Sequence, residues 1–161
     1  MAETDVTAAL ESATFGQGFT RKELETLAAG ARWKRFAAAT VLFREGERSD
    51  SFYVVHRGHV ALDMCLPARG CTRILTLGPG DVVAWSALLG DGVMTAAAVA
   101  LDDAELIELS GTELTSLCRT DPALGYHLMH GLAGALAKRL LATRLQLLDL
   151  FAADASAGDL R

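Results

Sequence analysis

From residue 33 to residue 109 the chain is a series of short β-rich runs separated by turn residues, and after Gly111 the periodicity becomes that of a helix. Few folds satisfy both halves of that pattern. The runs Thr40-Val41-Leu42-Phe43, Phe52-Tyr53-Val54-Val55, Val60-Ala61-Leu62-Asp63-Met64 and Arg73-Ile74-Leu75-Thr76-Leu77, with two more at 96–101 and 104–109, are too short to be helices. They predict about eight antiparallel strands. His56-Arg57-Gly58-His59 reads as a hairpin turn in which glycine supplies a positive φ, and Asp102-Asp103 as a second turn. Ahead of the strands, Thr20 and Glu23 have the spacing of a capping box and open a short helix over 21–28. Behind them lie a helical piece at 112–118, a cap at Asp121 with Pro122 in the first helical position, and a long helix over 123–151. The expected fold is mainly β with helices (α+β): an antiparallel, jelly-roll-like β-roll at 33–109, a short N-terminal helix and a long C-terminal helix. Residues 1–19 are expected to be a flexible arm or weak helix, 20–152 the domain, and 153–161 a tail.

A chain of 161 residues with 51% apolar content is long enough for one domain with one core. Its formal net charge of −5 disfavours a polyanionic partner, because nucleic-acid affinity rests on basic side chains neutralising phosphates. The acidic start, Met1-Ala2-Glu3-Thr4-Asp5, lacks the basic and apolar regions of a secretory signal, and no run is long enough to span a bilayer. A cytoplasmic location with no membrane contact is expected. Cys65, Cys71 and Cys118 have no spacing that indicates zinc. Cys65 and Cys71 flank a five-residue loop and can face each other on paired strands, although a cytosolic setting favours two free thiols.

Leu124, Leu128, Leu132, Leu136 and Leu140 recur at every fourth residue of the long helix, and Leu141, Leu145 and Leu148 extend the stripe. That is more apolar surface than one small roll covers. A homodimer through helix 123–151 is expected.

Between the strands lies Gly80-Asp81-Val82-Val83-Ala84-Trp85-Ser86-Ala87-Leu88-Leu89, followed by Val93-Met94-Thr95-Ala96. This stretch resembles the phosphate-binding cassette of the cyclic-nucleotide-binding domain, the sensor module of Crp/Fnr-type regulators. Gly46-Glu47, Tyr53-Val54-Val55 leading to Gly58 and Val60, Leu77 with Pro79-Gly80-Asp81, and Ala87-Leu88-Leu89 extend the resemblance over residues 20–152. In the family a glutamate holds the ribose 2′-hydroxyl and an arginine the cyclic phosphate. Those positions fall on Trp85 and Met94. The resemblance marks Val83, Ala84, Trp85, Ser86, Ala87, Leu88, Met94, Thr95 and Ala96 as the candidate ligand site, with Arg73 as a substitute cation and Thr143 as a polar contact from the long helix. Trp85 has two readings, stacking on a planar ligand or plugging the vacant pocket.

No Lys, Arg or His occurs from Ile74 to Cys118, while seven carboxylates do, so the field of this stretch opposes an anion. The expectation is a stand-alone regulatory or sensor module that signals through its C-terminal helix to a protein partner, without ordinary cAMP or cGMP binding. A true cyclic-nucleotide receptor with a non-standard phosphate contact is the alternative. A redox sensor at Cys65/Cys71 or a haem sensor at His127/His130 ranks lower. The His56/His59 and His127/His130 pairs lack supporting ligands for a metal, and no catalytic constellation is present, so neither metal nor enzyme activity is expected. No cofactor is implied beyond a small ligand, a cyclic nucleotide or another planar molecule. The short segment after residue 151 leaves no room for a helix-turn-helix domain, so direct DNA contact is not expected.

Overall fold

The protein is described by a computed structural model covering residues 5–158, with side chains through residue 155. Three short helical pieces come first: α1 (Val6–Ser12), a 3-10 turn (Thr14–Gly16) and α2 (Arg21–Ala29). The roll follows as β1 (Arg32–Phe36), β2 (Val41–Phe43), β3 (Ser51–Arg57), β4 (Val60–Leu66), β5 (Gly70–Leu77), β6 (Val82–Val83), β7 (Ala97–Ala100) and β8 (Ala104–Ser110). A 3-10 turn (Trp85–Ala87) sits between β6 and β7, and α3 (Gly111–Thr120) and α4 (Pro122–Gly158) close the chain. The expected antiparallel roll with a long final helix is observed, and α4 runs past Phe151 to Gly158.

The strands form two four-stranded sheets, in the orders β1-β8-β3-β6 and β2-β7-β4-β5. Alternation along β3 explains why both its faces are buried: Tyr53 and Val55 point into the roll, while Phe52 and Val54 point to the helices. β8 repeats the pattern, with Leu106 inside and Ile107 and Leu109 outside. Two cores result. The inner one joins the sheets; the outer one joins β3 and β8 to α1, α2, α3 and the first half of α4.

Helix ends are fixed by their own sequence. Thr20 Oγ1 accepts the Glu23 N–H at 3.2 Å, and Glu23 Oε2 accepts the Thr20 N–H at 2.8 Å, the predicted capping box. Glu23 also bonds His127 Nδ1 at 2.9 Å, which ties α2 to α4. Burial pushes the Glu23 carboxyl up, but the Thr20 N–H and His127 outweigh it and hold it below its ordinary value. Gly58 turns the β3–β4 hairpin at φ +78, where an added Cβ would lie 2.7 Å from Asp103 O.

Two local expectations change. The segment 5–19, expected as an arm or weak helix, forms α1 and the first 3-10 turn, with Leu10 and Phe15 inside the outer core; residues 1–4 lie outside the described residues. Cys65 and Cys71, expected as free thiols, are joined in a disulfide, because the β4–β5 register sets them directly opposite with Cα atoms 3.9 Å apart. No described helix is long and apolar enough to cross a membrane.

Candidate functional site

The cassette is a loop carried by β3. The Gly80 N–H donates to Val55 O at 2.8 Å, the Val55 N–H to Asp81 O at 2.9 Å, and Asp81 Oδ2 accepts the Gly78 N–H at 2.9 Å. β6 then pairs Val82 with Val54 and Val83 with Tyr53, which delivers the chain to Ala84 at the roll's mouth. Ala84 is left-handed, with φ 63 and ψ 44, a conformation glycine adopts freely and alanine only at a cost. The turn at Trp85–Ala87 follows, and its N–H groups are turned back on the chain: Ala87 to Ala84 O at 3.0 Å and Leu88 to Trp85 O at 3.0 Å. Met94 is clamped from both sides, its N–H donating to Glu47 O at 2.8 Å and its O accepting the Gly46 N–H at 2.8 Å.

The predicted residues separate into two groups. Ala84, Trp85, Ser86, Met94, Thr95 and Ala96 line one cavity together with Phe43 and Leu62. Val83 is buried in the inner core, Ala87 packs against both cores, and Leu88 packs against the outer one. Arg73 does not reach the cavity. Its Nε bonds Asp63 Oδ1 at 3.1 Å across the β4–β5 pair, so its charge is neutralised at the surface. Thr143 is exposed and its hydroxyl donates to Arg139 O at 2.9 Å, one turn back on its own helix.

The cavity itself is about 20 Å³, room for about one water molecule. Met94, the residue that the sequence resemblance sets at the phosphate-binding arginine's position, is 2% exposed and belongs to the inner core. Trp85 is half-buried, lining the cavity while resting on the outer core.

One residue of this wall escaped sequence reasoning. Arg139, from α4, lines the same cavity, and its Nη2 is sealed from solvent without a hydrogen-bond partner. Burial pulls its guanidinium below the ordinary value, an effect that the charge of Asp81 opposes. The cassette wall thus includes one cation, and it comes from α4 and not from the stretch 74–118. The signal for it was present. Leu132, Ala135, Leu136 and Arg139 stand at i, i+3, i+4 and i+7, so Arg139 continues the core-facing stripe that Leu132 begins.

The histidines all have partners within the fold. His56 meets the edge of Trp33 with centroids 5.1 Å apart, and His59 Nδ1 lies 2.8 Å from Asp102 Oδ2. His127 bonds Glu23, and His130 stacks on Tyr126 at 5.7 Å.

The fold is shared with known proteins. The sequence model described as "Cyclic nucleotide-binding domain" matches residues 33–121. The cyclic AMP receptor protein of Thermus thermophilus is 32% identical over 106 residues, covering 66% of this chain and 47% of that protein. The chain thus spans about half the length of that relative. Among solved structures, a cyclic nucleotide-binding domain from Methylobacillus flagellatus superposes with a TM-score of 0.79 at 19% identity, covering 90% of this chain and 82% of that one. The N-terminal domain of a transcriptional regulator from Streptomyces coelicolor gives a TM-score of 0.68 at 25% identity, covering 83% and 94%.

Proposed function

This chain belongs to the cyclic nucleotide-binding domain family, and from that premise we propose that it is a regulatory module whose cassette is closed to ordinary cAMP and cGMP and whose output leaves through α4. The closed cassette carries this reading. A cavity of about 20 Å³ has no room for a nucleotide, and the buried Met94 offers no charge to a phosphate whose burial unpaired would cost several kcal/mol. Arg139 gives the cassette a direct hold on α4, because one side chain of that helix forms part of the cassette wall. Beyond Arg139 the helix exposes Leu140, Leu141, Leu145 and Leu148, a face suited to a second copy of the chain and, through it, to a protein partner in the cytoplasm.

Calorimetric titration with cAMP and cGMP tests the closed cassette. No saturable heat up to about 1 mM is expected, a concentration corresponding to a binding free energy of only about −4 kcal/mol.

The unpartnered Nη2 of Arg139 favours a second reading, a true cyclic-nucleotide receptor in which Arg139 replaces the missing arginine once Trp85 swings out. Saturable binding that disappears in Arg139→Gln would replace the first reading with this one.

A further inference from the structure

Arg139 also belongs to the wall of a second, larger space. A cavity of about 590 Å³ lies between the first 3-10 turn, β5 and α4, and Arg139 is the one residue its lining shares with the cassette cavity. We propose that it binds a small organic anion other than a cyclic nucleotide, with a terminal phosphate-monoester or carboxylate head on a planar or aliphatic body smaller than a nucleoside.

Three observations converge on that ligand. The first is charge. Lys138 and Arg139 both line the cavity, and among the described residues neither has an ion-pair partner. Asp81 is the one carboxylate in the wall, and its Oδ2 is already engaged by the Gly78 N–H, so the cations outnumber it. The second is that Arg139 is half-buried with an Nη2 that has no hydrogen-bond partner, so a small turn of its guanidinium would present an unpaired donor to an anion in the cavity. The third is shape. Phe15, Leu75 and Ala135 supply an apolar wall for the body of a ligand.

Gly134 explains how the space stays open. Glycine inside a helix costs stability and is expected where something else must come close. Its neighbour Gly131 fits that rule, since a Cβ there would meet Phe15 O at 3.0 Å. Gly134 does not: a Cβ there would meet nothing within 4 Å, yet the residue lines the cavity. Gly134 is exposed, so the cavity opens to solvent beside it and can be entered from there.

The site is independent of the closed cassette, because its wall is complete whether or not Trp85 moves. Its position on α4 would let a ligand act on the same helix as the cassette does.

The test is a calorimetric titration of the full chain with 2-naphthyl phosphate and 2-naphthoate, which share a body and differ in head, and with neutral 2-naphthamide. Both anions are expected to bind saturably, and Arg139→Gln to weaken them at least about tenfold, the usual scale for a charge-assisted contact. Gly134→Leu, a better helix former whose side chain enters the cavity, should abolish binding while leaving circular dichroism and molecular mass unchanged. The proposal is overturned if neither anion saturates by about 1 mM, if 2-naphthamide binds as well as the anions, or if Gly134→Leu binds like the parent. It is also overturned if Thr95→Val, on the cassette side, blocks binding instead, which would place the anion in the cassette. A change of mass in Gly134→Leu would equally overturn it, because the open space would then be where a second copy packs.

Discussion

The two halves of α4 are built for different neighbours. In the first, Leu124, Leu128 and Leu132 are at most 1% exposed and rest on β3, β8 and the N-terminal helices. In the second, Leu141, Leu145, Leu148 and Phe151 are 54–69% exposed. Arg139 stands at the junction, in the walls of both cavities. The difference teaches that one helix is built in two ways: its first half completes the core of the roll, and its second presents an exposed apolar face, the one the proposed second copy would cover. A ligand-dependent event near Arg139 is placed where one half passes into the other.

The largest effect that sharpens this comparison is in the core. Leu128→Ala should lower unfolding free energy by about 3 kcal/mol through lost transfer and a residual cavity. Leu148→Ala should change monomer stability by less than about 0.5 kcal/mol and act on self-association instead. Urea melts at dilution and at high protein concentration separate the two, and equal losses would erase the distinction between the halves.

The glycines of α4 should respond with opposite signs. At Gly125 an added Cβ would sit 3.0 Å from both the Cα and the O of Cys118, where α3 crosses closely, and backbone cannot yield as a flexible side chain does. Gly125→Ala should lose about 1 kcal/mol, overpacking outweighing the gain in helix propensity. Gly134→Ala, with open space around its Cβ, should gain up to about 1 kcal/mol. A gain at Gly125 would mean that the α3–α4 crossing is looser than described.

A smaller effect tests how the first half of α4 is anchored. Glu23 is held below its ordinary pKa of 4.5 while bonded to Thr20 and His127. The unfolded chain therefore takes up its proton first as pH falls. The stability that Glu23 contributes is fully present above the ordinary value and is lost as pH drops toward the lowered folded value. Chemical denaturation across pH 3 to about 6 should show a shallower acid limb in Glu23→Gln than in the parent; parallel limbs would show that another carboxylate governs it.

The roll was legible because its signals are local. Turn glycines, β-rich runs and the capping box at Thr20 each depend on a few adjacent residues, and the structure sets β2, β3, β4, β5, β7, β8 and the α2 cap where those signals fall. β6 was missed because it is two residues long and paired only to β3. α1 and Phe15 were underread because small polar neighbours mask their few apolar anchors, Ala9 and Leu10 among them, until the rest of the core is present. The disulfide was misjudged because compartment outweighed register, although the hairpin spacing pointed to facing cysteines.

The candidate site was legible only on its own loop. Ala84, Trp85, Ser86, Met94, Thr95 and Ala96 meet at one cavity, as adjacency in the cassette implied. Arg73 and Thr143 do not, and the side chain that joins this wall from α4 is Arg139. The reason is geometric. A leucine at every fourth residue drifts about 40° around a helix of 3.6 residues per turn with each step. By Leu140 the stripe has left the core, and Leu140 is 52% exposed; the core-facing position has passed to Arg139.

The division of α4 is tested most directly by sedimentation equilibrium of the parent and of the double variant Leu145→Glu/Leu148→Glu. The account predicts a parent of twice the 17.0 kDa chain mass at micromolar concentration, and a variant that is monomeric with unchanged circular dichroism. A parent that stays at 17.0 kDa over that range, or a variant that remains dimeric, would contradict it.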